Sequence, residues 1–369
     1  MSFKRIVGIA FWFALTSASF GQQKSESQTN KGPSQTPAEI TTVRSYPGGN
    51  RPASRVVRTR TESGGREIIT ESTEVPRTDG RFETLVKTVT ESVGIGSDSV
   101  MIKREVFGKG AYGQDSLVET SAAERENLPD GTSRTITNTW VPDLNGHLKL
   151  SSRRIEETKS ASPDVRQTQM TLYTPTVNEP LSETERIQQI ERRLGPNLVQ
   201  TESQVDFRDA NGRWQTTEMR NKEVRTINSA EVVEEQTTRS LDGVGELAIS
   251  DRTITRRRST GNSSDEVITE VYSPYVIGLV RDRDSSLELD RRVGVTTTRT
   301  TGGGSQSIIE TEERFPSVLN GPIRVVARTV ETVQQSGPGQ WETQRQTFWL
   351  DGSGRLVPSV VDQEETKDK

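Results

Sequence analysis

A basic side chain recurs at one fixed offset along this chain. Lys87, Arg153, Arg186, Arg252 and Arg328 each stand seven positions after a rung of a regular glycine series, with Thr120 and Met219 interrupting. Four positions further on come Glu91, Glu124, Glu157 and Glu223. A column of cations is what an extended anionic ligand would need, so an acidic polysaccharide or cell-envelope polymer is the partner this spacing points to. The plainer alternative is a solvated charge ladder that keeps a sheet soluble and guards its edges.

Other reactive chemistry is scarce. There is one histidine, His147, beside a series glycine where the corresponding residues are Arg81, Arg213 and Arg355, so it reads as a solvated turn residue. No nucleophile elbow, zinc-binding helix or phosphate loop appears, and Gly302-Gly303-Gly304 reads as a hairpin tip. Asp143 with Asn145 and Asp209 with Asn211 imitate the first ligands of a calcium loop, but the later acidic ligand is missing and turn geometry explains both pairs. No metal or other cofactor is therefore expected. With 52 acidic residues and nothing that sets two of them apart, a polysaccharide hydrolase or lyase is the alternative to a non-enzymatic binding surface.

The elements that must carry these residues follow from the glycines. Gly80, Gly113, Gly146, Gly212, Gly245 and Gly278 share a 33-residue register, Glu179 fills the missing rung, and after ten inserted residues the series resumes at Gly321 and Gly354. Half a period away run Gly64, Ser97, Asp130, Pro163, Pro196, Ser229 and Asn262, then Ser305 and Pro338, all turn formers. Apolar residues cluster beside the glycines: Phe82, Leu148, Trp214, Leu247, Ile323 and Leu356 follow by two, while Phe107, Trp140, Tyr173, Tyr272 and Phe348 precede by six. Phe207 and Trp349 sit one place later. Such columns belong opposite one another on a hairpin.

The chain therefore reads as all-β: about nine 33-residue β-hairpin repeats in a long antiparallel meander of about 18 strands, each of about 12 residues. Its closure is left open. A parallel β-solenoid is disfavoured because Glu119, Glu185, Glu218 and Asp251 occupy a column that would have to be buried. A transmembrane barrel is not expected either, since aromatics are 5% of the chain, mean hydropathy is −0.70 and no lipid-facing alternation is evident. The inserted stretch, with Arg281-Asp-Arg-Asp284 and Asp290-Arg-Arg292, is the feature the repeat does not require.

Residues 1–21 read as an export signal: Lys4 and Arg5, an apolar run from Ile6 to Leu15, and small residues before Gln22. Their removal leaves 46 basic against 52 acidic side chains, which argues against a nucleic-acid partner. Residues 22–52 are rich in Gln, Ser, Thr and Pro and read as a disordered linker, residues 53–361 as the repeat array, and 362–369 as a disordered tail. With no cysteine, the chain has no disulfides for its expected periplasmic or secreted destination. The turns Asp351-Gly-Ser-Gly-Arg-Leu356 and Asp209-Ala-Asn-Gly-Arg-Trp214 resemble the hairpins of YD-repeat proteins, as a shared hairpin solution confined to those turns. The resulting expectation is an exported, non-enzymatic scaffold or extended binding surface.

Overall fold

The computed structural model describes residues 38–46, 52–95, 99–110, 113–176, 180–261, 263–274, 287–300, 304–314, 322–337 and 340–368. All described regular structure is strand: β1 (Ala38–Ser45), β2 (Pro52–Ser63), β3 (Arg66–Pro76), β4 (Phe82–Ile95), β5 (Ser99–Lys109), β6 (Asp115–Asn127), β7 (Ser133–Pro142), β8 (Leu148–Ser162), β9 (Val165–Thr174), β10 (Ser182–Gly195), β11 (Leu198–Arg208), β12 (Trp214–Asn228), β13 (Glu231–Leu241), β14 (Leu247–Ser259), β15 (Ser264–Pro274), β16 (Leu287–Arg299), β17 (Ser305–Arg314), β18 (Ile323–Gly337), β19 (Gln340–Leu350) and β20 (Leu356–Asp368).

Each strand pairs antiparallel with the next, as the meander reading expects. The ring then closes, because β1 pairs with β2 on one side and with β20 on the other, from Ala38↔Asp368 to Ser45↔Val361. The fold is thus a 20-stranded antiparallel barrel, where the sequence had left closure open and suggested about 18 strands. The segment read as a linker contains β1, and the segment read as a tail is the end of β20. Both misreadings have one cause. Ile40, Thr41, Thr42 and Val43 favour extended chain, but their polar flanks hide them, and the energy that orders them comes from two ladders formed with distant partners. The signal segment lies outside the described residues.

The described glycines of the series, Gly80, Gly113, Gly146, Gly212, Gly245 and Gly354, mark one rim. In the turn after β7, Asp143 Oδ1 accepts the backbone amides of Asn145 and His147 at 2.9 and 3.0 Å, and Gly146 takes a φ of 81°. The same pair of carboxylate bonds recurs at Asp209, Asp242 and Asp351. Asp143 and Asp351 are therefore turn locks, and Asp143 spends its carboxylate on amides where the calcium reading would need it free. The amides of His147 and Arg355 are the chief causes that hold the Asp143 and Asp351 carboxyls below the usual carboxylate range.

A depressed folded-state pKa contributes stability that is present above the unfolded value of about 3.9 and lost as pH falls through the folded value. Asp143→Ala with Asp351→Ala should therefore lower the melting temperature at neutral pH and flatten its decline below about pH 4. Thermal scans across that range check this, and an unchanged acid limb would contradict it.

Just inside this rim every second strand carries a β-bulge. The unpaired residue is Leu85, Val118, Ser151, Thr184, Thr217 and Ser250, five positions after each rung of the series, then Asp290, Val326 and Ser359. The hydroxyls of Ser151, Thr184, Thr217 and Ser250 each donate across to a carbonyl of the preceding strand, at 3.1–3.3 Å. Bulges bend a strand and raise its twist, which curls a long sheet toward closure. They also place the ten-residue insertion. Asp290 falls 40 residues after Ser250 and 36 before Val326, so seven extra residues precede β16 and three follow it. Ser305 consequently begins β17 and is not in the turn before it.

Burial is shallow. Among the described residues the buried apolar side chains are Ala248, Ile249, Pro274 and Ala327, and no large side chain is fully buried. The apolar columns beside the glycines lie along a wall and do not fill a core, so the hydrogen-bonded ladders and half-buried cross-strand pairs such as Trp140↔Leu150 and Phe107↔Leu117 carry the fold.

Candidate functional site

Two sides of the wall can be told apart from contacts that leap over a strand. The Arg186 guanidinium of β10 lies 4.0 Å from the ring centre of Trp214 on β12, and that of Arg55 on β2 lies 4.2 Å from the ring of Phe82 on β4. Side chains two strands apart converge on the concave side of a curved sheet and diverge on the convex side. Cavities lined by side chains of successive strands open on the same face, for example one of about 450 Å³ between β5 and β8. We assign this face to the lumen.

Following the register around the ring, Lys87, Arg153, Arg186, Arg252 and Arg328 all lie on this inner face, each two residues beyond a bulge. Counting from the bulge adds Arg292, two residues after Asp290, which the insertion had displaced from the glycine count. The column is a belt set two residues in from the row of bulges.

The belt is not bare positive charge. Arg153 Nε donates to Asn138 Oδ1 at 2.7 Å, and Arg186 Nη2 to Glu183 at 2.9 Å. Arg252 pairs with Glu235 at 2.8 Å, and Arg328 Nε donates to Glu310 at 2.8 Å. Lys87 is exposed, between Ser72 and Phe107 in the register. A multi-residue node lies on β14–β17. There Glu270, only 6% exposed, accepts Arg256 Nη1 at 2.8 Å, Arg292 Nη2 at 2.8 Å and the Tyr272 hydroxyl at 3.2 Å, while Arg292 Nη1 reaches Glu312 at 3.3 Å. Residue type alone could not single out Glu270 among so many acids; a repeat count corrected for the insertion would have found Arg292. Residues 281–284 lie outside the described set. His147 is exposed on its turn.

The outer face is charged as well. Arg104 pairs with Glu119 at 3.0 Å and Lys222 with Glu234 at 2.7 Å, both near mid-strand. Phe207 and Trp349, one place out of the aromatic column, point to this face and are 49% and 51% exposed. No helix long and apolar enough to cross a membrane occurs among the described residues.

No protein-family model matches the chain, and no curated protein matches it in sequence. Its fold is similar to that of solved β-barrels. The siderophore receptor PirA from Pseudomonas aeruginosa superposes over 91% of this chain and 81% of that one, with a TM-score of 0.50 and 10% identity. The FrpB iron transporter from Neisseria meningitidis covers 92% and 75%, at 0.48 and 9%. OccK3 (OpdO) from Pseudomonas aeruginosa covers 90% and 94%, at 0.45 and 10%.

Closure into this barrel overturns the reading of an exported scaffold with an extended binding surface for an acidic polysaccharide. The arginines of its column turn inward, each with a partner. Glu270, the buried carboxylate among the described residues, accepts two guanidiniums and a phenol and so serves as a structural node. At the coarse level of the cell envelope, the address expected from the leader is compatible with the barrel.

Proposed function

We propose that this chain forms a conduit for small polar solutes in the cell envelope. The observation that carries it is the closed 20-stranded ring with a charged, ion-paired inner wall. Barrels of 16–18 strands already leave an aqueous channel. The plan is also that of outer-membrane-type barrels: an even strand number, with β1 starting and β20 ending at the rim of tight reversals such as Gly64-Gly65 and Pro163-Asp164, opposite the glycine rim. The belt from Lys87 to Arg328 then lines the path near one mouth, where paired charges favour hydrated polar solutes over apolar ones.

Arg or Lys on a lipid-facing wall costs about 2–4 kcal/mol each at mid-bilayer, and this outer wall carries both. The test therefore reads partition before flux. The mature chain is refolded with liposomes, its membrane-bound fraction is measured, and swelling in isosmotic arabinose is recorded. The expected result is a folded, membrane-bound barrel that admits the sugar. Folded protein recovered wholly in water, or bound without swelling, overturns the proposal.

A further inference from the structure

The arginine belt has a gap at β6, and the gap is a cavity. Thr120 stands where the equivalent strands carry Lys87, Arg153, Arg186, Arg252 and Arg328, and two residues further along the same face stands Ala122. The register sets Glu105 and Trp140 on either side of Thr120, and Lys103 and Asn138 on either side of Ala122. Two small side chains thus form a floor between long neighbours. The space left is about 450 Å³, lined by the apolar Met101, Leu117, Trp140 and Leu148 and by the charged Lys103 and Glu105. That volume is within the range of small-molecule sites, roughly 300–1,000 Å³.

The lining limits the occupant. Trp140 and the two leucines offer an apolar slot for a ring or branched chain. Within the lining, Lys103 Nζ and Glu105 Oε1 are 2.8 Å apart on one strand. A lone anion taken up by Lys103 would strip Glu105 of its partner, and a lone cation would do the reverse. An occupant bearing both charges satisfies each group as it displaces the other.

We propose that this cavity binds a small zwitterion with an apolar side chain, namely an aromatic or branched-chain α-amino acid, its carboxylate on Lys103, its ammonium on Glu105 and its side chain against Trp140. The site rests on the conduit reading for its purpose, as a station on the inner wall, but its binding is read on the folded barrel in detergent micelles, where no flux is measured. Loss of flux and loss of binding are therefore separate outcomes.

The experiment is calorimetric titration of the full-length chain, folded in detergent micelles, with L-phenylalanine, L-leucine, benzoate and phenethylamine. Both amino acids should bind, and the single-charge probes should bind at least tenfold more weakly. Thr120→Arg installs the residue that stands at this position on β8, β10, β14, β16 and β18, so it should keep the melting temperature while weakening L-phenylalanine at least tenfold. Should that variant fail to fold, Lys103→Met serves, with weaker L-phenylalanine and unchanged phenethylamine expected. No heat with either amino acid, benzoate equal to L-phenylalanine, or a folded Thr120→Arg or Lys103→Met chain that binds L-phenylalanine as the wild type does would each overturn the proposal.

Discussion

Replacing Glu270 with alanine should be among the most destabilising single changes in the barrel. The substitution leaves Arg256 and Arg292 facing each other across β15 with no shared carboxylate, and Tyr272 without its acceptor. Breaking a buried pair by removing one partner typically costs about 3–5 kcal/mol. Both guanidiniums keep partial contact with solvent and Arg292 keeps Glu312, so about 2–3 kcal/mol is expected here.

Glu270→Gln retains oxygen and shape but not charge, and should fall between the two. Adding Arg256→Ala to Glu270→Ala should recover part of the loss, since it removes one of the two stranded cations. Melting temperatures of the wild type and these variants check this, and equal losses for Glu270→Ala and the exposed Arg153→Ala would show that the node contributes no more than a surface pair.

The turns and the handedness of alternation were legible to different degrees in the sequence. Asp143, Gly146, Asp351 and Gly354 announce their turns by residue type, because a short carboxylate and a residue tolerant of positive φ are what those turns require. The faces were not legible, because one unpaired residue per hairpin inverts the parity of everything after it. Phe82 and Lys87 are five apart in sequence yet share the inner face, while Val86 between them lies outside. The bulge position takes Leu, Val, Ser, Thr or Asp, so no residue type marks it. Closure was illegible for another reason. It depends on β1 meeting β20 from the opposite end of the chain, and no local pattern reports a pairing at that separation.

A chain beginning at residue 47 should lose the barrel and not merely shrink it. In an antiparallel ring neighbouring strands run in opposite directions, so the strand number must be even. Without β1, the exposed edges belong to β2 and β20, which run the same way and could meet only as a parallel pair in a new register. Two long unpaired edges would instead face water, each a template for pairing with another chain. The expected result is an oligomeric or aggregated protein whose β2 and β20 amides exchange rapidly, while strands far from the seam, such as β10 to β12, remain protected. Size-exclusion chromatography and hydrogen exchange by mass spectrometry read both. A monomeric truncated chain with β20 protected as in the full-length protein would show that β1 is not the strand that closes the ring. The polar lumen, and the conduit built on it, would then lose their structural basis.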